Sequence, residues 1–242
     1  MSTVADHYET HLAPVYLWMS GGADAAFARG DGELAALLPP QAKGTTAVDL
    51  GAGFGMHAVP LGRRGWSVVA LDTSAFLLRE LQDRAAGLPV RAVHDDLLSF
   101  QRHVRSSIDL LLIMGDTLTH LPDRAAVLTL IARAAESLRP GGTFIASFRD
   151  YSTPLVGPGR FIPVKSDADR ILTCFLEYGE DHVEVHDLLH ERRGSVWQQK
   201  VSTYRKLRLA PAWVADTLRG AGFSVRSEPG LSGMVRLVAT RD

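Results

Sequence analysis

Residues 48–55 read Val48-Asp49-Leu50-Gly51-Ala52-Gly53-Phe54-Gly55, and this stretch decides the fold. The apolar run at 46–50 predicts a buried parallel strand, and the pattern at 56–64 predicts the helix that follows the glycine-rich turn. Glycines let the backbone approach a ligand closely, and the first N–H groups of the helix point toward that ligand. The spacing is G-x-G-x-G, whereas a dinucleotide-binding turn has G-x-G-x-x-G and would place its third glycine at Met56.

Composition limits the possible functions. The chain has 242 residues, 46% of them hydrophobic, which suits one sizeable core or one core with a small attached lobe. A formal net charge of -1 offers no basic surplus for a nucleic-acid backbone, so no nucleic-acid partner is expected. The single cysteine, Cys174, excludes an intrachain disulfide framework and a multi-cysteine metal site. The sequence starts without a signal-peptide pattern and has no apolar run near the roughly 20 residues of a membrane span, so we expect a cytoplasmic protein without membrane contact.

Strands and helices alternate along the chain as far as Phe148. A mixed, aromatic-rich segment at 2–20 and a helical pattern at 24–38, which ends at Pro39-Pro40, come first. The predicted strands lie at 47–50, 67–71, 90–94, 108–114 and 143–148. The predicted helices lie at 56–64, 74–86 and 124–138, with a short turn near 98–104. This alternation predicts a doubly wound parallel sheet with its ligand at the carboxyl ends of the strands.

The pattern changes after Phe148, where extended runs separated by turn residues predict an antiparallel meander. These runs lie at 171–178, 183–190 and 196–209. Strand residues alternate in direction, so only half of the polar and aromatic side chains in this insert, Tyr204 among them, can face a substrate. Pro211 then begins a helix that ends at Gly222, and two last strands are predicted at 223–227 and 234–239.

This order of elements, taken with the glycine-rich turn, resembles the class I S-adenosylmethionine (SAM)-dependent methyltransferases. The first motif of that family reads D/E-h-G-x-G-x-G, where h is apolar, and residues 49–55 match it. Arg139-Pro140-Gly141-Gly142 likewise resembles the family's L-x-P-G-G turn. The resemblance implies an α/β fold with a doubly wound, Rossmann-like seven-stranded sheet of order 3-2-1-4-5-7-6, in which strand 7 is antiparallel. It also implies that the antiparallel β insert is a lid, as in members that methylate small molecules.

The expected organisation is a single catalytic domain in four segments. These are an N-terminal helical cap at 1–40, a SAM-binding core at 41–150, an antiparallel substrate lid at 151–210 and a C-terminal completion of the core at 211–242. The strands of the lid could also pair with a second subunit, which would make the protein a homodimer.

Acidic residues at two strand ends are candidates for holding an adenosine group. Asp72 closes the second predicted strand, about 20 residues after the turn, and could bind both ribose hydroxyls or instead cap the next helix. Asp95 and Asp96 lie in 94–100, which resembles the family's G-D-x-x-x-F motif, and either could accept a hydrogen bond from adenine. The resemblance implies that SAM is the cofactor and that a wider set of residues binds it: Tyr16, Trp18, Arg29, Asp49, Gly51, Ala52, Gly53, Gly55, Asp72, Thr73, Asp95, Asp96, Leu97, Met114 and Gly115.

The segment after the fourth predicted strand, residues 114–121, stands where the family presents the methyl acceptor. Asp116 and His120 are the ionisable groups there, so they are the predicted catalytic residues, which orient or deprotonate the acceptor. His120 could equally be a core or capping histidine. No metal site is predicted. Because the Asn/Asp-Pro-Pro-Tyr/Phe motif of nucleic-acid enzymes is missing, we expect a small organic acceptor that is methylated on N or O by in-line displacement.

Other functions are compatible with a glycine-rich turn of this kind. A nicotinamide- or flavin-dependent oxidoreductase could use a similar sheet, although Met56 at the third-glycine position argues against it. A non-catalytic SAM-binding subunit of a partner enzyme would be expected to carry a degenerate turn, and this turn is intact. A relative that uses SAM for another transfer would need extra basic residues near the methyl group, and Arg149 and Arg205 leave that alternative open.

Overall fold

A computed structural model of the protein describes residues 4–38, 44–105 and 107–242, so the predicted helix end at Pro39-Pro40 lies outside the described residues. The helices are α1 (Val4–His7), α2 (Ala13–Met19), α3 (Ala23–Ala35), α4 (Ala58–Arg63), α5 (Ala75–Arg84), α6 (Arg124–Ser137) and α7 (Pro211–Gly220). The strands are β1 (Thr46–Leu50), β2 (Ser67–Asp72), β3 (Val90–His94), β4 (Ile108–Ile113), β5 (Leu138–Phe148), β6 (Phe161–Ser166), β7 (Arg170–Tyr178), β8 (His182–Arg193), β9 (Val196–Leu207), β10 (Phe223–Pro229) and β11 (Val235–Arg241). None of the described helices has the length and apolar character needed to cross a membrane.

Seven strands form the central sheet, in the order β10-β11-β5-β4-β1-β2-β3. Strand β1 pairs in parallel with β2 and β4, whereas β11 runs antiparallel to β5. This topology confirms the predicted order, in which the last strand of the chain enters the sheet antiparallel. Ala47, Val48 and Leu50 have no exposed surface, because helices cover both faces of a parallel sheet.

A second, four-stranded antiparallel sheet has the order β6-β7-β8-β9 and is called the lid below. It confirms the predicted meander but adds β6, which sequence patterns missed because it is short and is interrupted by a bulge after Pro163. Leu172 and Leu189 on its inner face pack against Leu12 and Val15 of the N-terminal helices. The division of the chain at residues 40, 150 and 210 stays a prediction.

The glycine-rich turn lies against the loop that follows β4. Gly51 adopts a φ of +73°, and a Cβ there would come within 2.4 Å of the Thr117 side chain. The backbone N–H groups of Gly51 and Ala52 donate to the carbonyl of Leu71 at 2.9 Å, which holds the turn on β2. Only glycine combines this backbone conformation with such a close approach.

Helix α3 packs against the same turn through Gly30, and this contact can be tested. A Cβ at Gly30 would lie 2.1 Å from the carbonyl oxygen of Met56, so Gly30→Ala should destabilise the protein by about 1–3 kcal/mol through overpacking. Gly32→Ala, in the same helix, would meet no atom within 4 Å and should stabilise it by up to about 1 kcal/mol. Urea unfolding measures both, and equal effects of the two substitutions would contradict this account of the packing.

Candidate active site

A cavity of about 700 Å³ lies at the carboxyl ends of β1 to β4. Parallel strands bring distant segments together there, because their carboxyl ends meet at one edge of the sheet. Most of the predicted site residues line this cavity: Tyr16, Gly51, Ala52, Gly53, Asp72, Thr73, Asp95, Asp96, Leu97, Met114, Gly115 and His120. The other predicted residues are not among those that line it: Trp18, Arg29, Asp49, Gly55 and Asp116.

Three of these other residues make structural contacts around the cavity. The indole N–H of Trp18 donates to Asp167 in the lid at 2.5 Å. The guanidinium of Arg29 donates to the carbonyl of Ser20, also at 2.5 Å. A Cβ at Gly55 would crowd the side chains around it. Direct contact of these three residues with a cofactor stays a prediction.

Asp49 is buried beneath the glycine-rich turn. Burial raises the pKa of its carboxyl group to about 6, although nearby His57 opposes the shift. Among the described residues, one of its carboxylate oxygens has no hydrogen-bond partner. His57 lines the cavity, and its ring bonds Glu33 at 3.0 Å. No motif in the sequence indicated that His57 would lie at the site.

Asp72 joins the glycine-rich turn to the next helix. Its carboxylate accepts one hydrogen bond from the N–H of Gly53 at 2.7 Å and another from the N–H of Ser74 at 2.8 Å. Burial raises the pKa of Asp72, and these backbone donors oppose the rise. The carboxylate therefore lies in the cavity wall with its orientation fixed.

The segment after β3 places both candidate adenine contacts in the cavity wall. Asp95 bonds His103 at 2.7 Å, whereas Asp96 accepts from the N–H of Leu98 at 2.7 Å and so begins a short 3₁₀ turn. Gly115 leaves room for a ligand, because a Cβ there would meet no protein atom within 4 Å. Carboxylate acceptors beside open space fit the hydroxyl and amino donors of an adenosine group.

Comparison with known proteins agrees with this geometry. Residues 47–142 match a family described as a methyltransferase domain. A cypemycin N-terminal methyltransferase from Streptomyces sp is 27% identical over 77% of this chain and 78% of its own length. The glycine/sarcosine N-methyltransferase of Halorhodospira halochloris is 29% identical over 44% of this chain and 41% of its own. These matches show a methyltransferase domain at residues 47–142 and support the resemblance to the class I SAM-dependent methyltransferases.

The fold of the methyltransferase extends over nearly the whole chain. SAM-bound CalS10, an amino pentose methyltransferase from Micromonospora echinaspora, superposes with a TM-score of 0.72 over 96% of this chain and 97% of its own. Its sequence identity is 18%, so this likeness shows the fold. The comparisons do not support the alternative of a nicotinamide- or flavin-dependent oxidoreductase. The enzyme uses SAM as its methyl donor.

Asp116 lies behind the cavity of the methyltransferase and is bonded to several donors. It adopts a φ of +77°, and its carboxylate accepts from the N–H of Arg149 at 2.9 Å and the hydroxyl of Tyr151 at 2.9 Å. It also pairs with the ammonium of Lys206, from β9 of the lid, at 2.5 Å. Burial alone would raise the pKa of Asp116, but Lys206 and Arg149 hold it below its usual value.

His120 faces the cavity as a neutral ring. Its Nε2 atom and the Tyr8 hydroxyl share a hydrogen bond of 3.2 Å, and the imidazole stacks on the ring of Tyr204 with a centroid distance of 5.5 Å. Burial and the nearby charge of Lys206 lower its pKa to about 3. Among the described residues, its Nδ1 atom is buried without a hydrogen-bond partner.

Lys206 is the residue of this centre that sequence reasoning missed. Its charge lies 5.6 Å from the centroid of the Tyr204 ring, which lines the cavity. Burial would lower the pKa of Lys206, but Asp116 holds it well above its usual value, so the side chain stays charged. A lysine in a polar strand is expected at the surface, and no local pattern marks it as buried.

The effect of Lys206 on His120 can be measured without a substrate. Lys206→Met removes a positive charge near the imidazole, so the pKa of His120 should rise by about 1 unit or more. Titration of histidine-labelled protein by NMR measures this shift. Lys200→Met is the matched control, because Lys200 lies on the same strand but pairs with Glu191 at the surface. An unchanged His120 pKa in Lys206→Met would remove Lys206 from this role.

Proposed function

We propose that this methyltransferase transfers the methyl group of SAM to an amine nitrogen of a small organic acceptor. The acceptor would bind at the end of the cavity formed by Tyr8, His120 and Tyr204. Among the described residues that line the cavity, the only carboxylates are Asp72, Asp95 and Asp96, which follow β2 and β3. The acceptor end therefore offers aromatic surface and hydrogen bonds rather than a counter-charge for an ammonium group.

None of Tyr8, His120 and Tyr204, the residues that form this end, is a competent base, and this observation supports nitrogen over oxygen as the atom that is methylated. With a pKa of about 3, His120 is a weak base, and burial keeps Tyr8 and Tyr204 protonated by raising the pKa of each. An alcohol needs a base to remove its proton during attack, and such a base works best with a pKa near the operating pH. A neutral amine attacks through its lone pair and releases its proton afterwards.

The names of the relatives support the same acceptor class. The cypemycin enzyme is named for an N-terminus, the Halorhodospira enzyme for the nitrogen of glycine and sarcosine, and CalS10 for an amino pentose. Each name describes that protein alone, and together they favour an amine for this chain.

We assign the following roles within the proposed reaction. Asp72 would bind the ribose hydroxyls of SAM, and Asp96 would contact adenine, since Asp95 is engaged by His103. Bound SAM supplies an activated methyl group on a sulfonium. His120 would orient the acceptor nitrogen in line with that methyl group, while Asp116 would act as a positioning residue through Lys206.

The cofactor role of Asp72 predicts a selective loss of binding. Asp72→Ala should weaken the affinity for S-adenosylhomocysteine, measured by calorimetry, by at least about tenfold, because two charge-assisted hydrogen bonds to ribose are lost. Asp123→Ala is the matched control: Asp123 begins α6 and does not line the cavity, so its loss should lower stability and leave affinity unchanged. Equal affinity in the wild type and Asp72→Ala would contradict the assignment.

The choice of nitrogen predicts the outcome of an acceptor screen. Pairs of small acceptors that differ only in an amine or a hydroxyl should be incubated with SAM carrying a radiolabelled methyl group. We expect label in the amine members alone, with a rate that rises with pH as each amine loses its proton. Preferential labelling of the hydroxyl members would overturn the proposal and would point to His182, which also lines the cavity, as a base.

A further inference from the structure

Glu9 ties residues 4–12, called the N-terminal segment below, to the start of helix α5. It lies in a π-helical turn, Tyr8–Leu12, a rare conformation that often occurs at functional sites. Its carboxylate accepts from the hydroxyl of Ser74 at 2.6 Å and from the N–H of Phe76 at 3.3 Å. Ser74 has no exposed surface and also accepts from the N–H of Leu77, so it is the N-cap of α5.

The same serine contacts the carboxylate that we assign to the ribose of SAM. The N–H of Ser74 donates to one oxygen of Asp72 at 2.8 Å, and the other oxygen accepts from the N–H of Gly53 at 2.7 Å. Asp72 lines the cavity, whereas Glu9 is not among the described residues that line it. Ser74 therefore lies between a carboxylate that can contact the cofactor and one that holds the N-terminal segment.

The two residues before Glu9 reach the acceptor end and the lid. The Tyr8 hydroxyl and Nε2 of His120 share a hydrogen bond of 3.2 Å, and His7 bonds Asp187 of β8 at 3.0 Å. Successive residues of a helical turn point in different directions around its axis, so one short turn can contact three parts of the protein. Because these three residues are joined by the backbone, the position of Glu9 limits the positions that Tyr8 can take.

We propose that Glu9 is a positioning residue that couples the ribose site at Asp72 to the placement of Tyr8 at the acceptor end. Its role rests on those proposed above for Asp72 and for the acceptor end. Hydrogen bonds from the ribose hydroxyls to Asp72 hold the turn at Ser74 in one conformation. Glu9 then binds a partner that is already ordered, so its contact costs less conformational entropy and the acceptor end forms more completely when the cofactor is bound.

Coupling of this kind is reciprocal. Bound cofactor favours the docked N-terminal segment, so docking of the segment favours the cofactor by the same factor. Leu12 and Val15 pack on the lid instead, and this apolar contact keeps the N-terminal helices folded when the bond to Ser74 is lost. Glu9 therefore changes the placement of the segment rather than its secondary structure.

Hydrogen exchange followed by mass spectrometry tests this coupling, with S-adenosylhomocysteine as the probe. In the wild type, the saturating probe should slow amide exchange in residues 4–12 by about tenfold or more, the factor that one hydrogen bond to a charged group contributes. Glu9→Ala should abolish most of this protection, and Glu9→Gln, which keeps an acceptor for the Ser74 hydroxyl, should retain much of it. Thr10→Ala is the matched control and should keep the protection, because the Thr10 hydroxyl bonds the carbonyl of Asp6 within the segment.

Exchange at residues 72–77 shows whether the cofactor site is filled, and exchange in β1 and β4 shows that each variant is folded. Wild-type protein protected at 72–77 but not at 4–12 would overturn the proposal. Protection at 4–12 that persists in Glu9→Ala would also overturn it, since such protection arises from direct contact with the probe, as would an equal loss in Thr10→Ala. No methyl acceptor is present in this experiment, so failure of the proposed acceptor class would leave its outcome unchanged.

Discussion

The buried ion pair between Asp116 and Lys206 is the interaction on which the arrangement of the active site depends. It joins the end of β4 in the central sheet to β9 of the lid, across 90 positions of sequence. Two charges in a dry interior are costly unless their remaining hydrogen-bonding capacity is satisfied. Arg149 and Tyr151 satisfy much of it on the Asp116 side, so the pair can hold the lid at one position relative to the core.

The N-terminal helices complete this arrangement from a third direction. His7 bonds Asp187 of the lid at 3.0 Å, and Tyr8 bonds His120 of the core at 3.2 Å. His7 and Tyr8, which are neighbours in the N-terminal helical segment, therefore hold the lid and the core around the same cavity. Because residues in one hydrogen-bonded network depend on each other, the acceptor end is a product of all three segments.

The same ion pair sets the chemistry available at the acceptor end. Lys206 keeps its charge next to the stacked rings of Tyr204 and His120, and this charge helps to hold the imidazole neutral. A methyl group on a sulfonium is already activated, so the main requirement on the protein is to align donor and acceptor. In the proposed reaction, rigid aromatic walls and a fixed hydrogen-bond partner would meet that requirement without proton transfer by the enzyme.

Local sequence patterns were sufficient for the parts of the protein with strong local rules. The glycine spacing at 51–55, the apolar run before it and the alternation of strands and helices led to the parallel sheet, and the family that these motifs resemble implied the strand order and the cofactor. Motif positions such as Asp72 and Asp96 could be placed in the cavity wall, because a residue that ends a parallel strand must lie at the ligand-binding edge. Strand β6 escaped prediction, since a bulge interrupts its alternation.

By itself, the sequence determined the parallel strands and the glycine-rich turn, because hydrophobic period and glycine spacing act over a few residues. The order of the sheet and the cofactor followed from the resemblance of its motifs to a known family. Only the tertiary structure decided that Asp116 lies behind the cavity, that Lys206 is its buried partner and that His57 and Tyr204 line the site. These placements arise from pairing and packing between segments far apart in the chain. Burial and charge then change the pKa of a residue such as His120 in ways that its neighbours in sequence do not reveal.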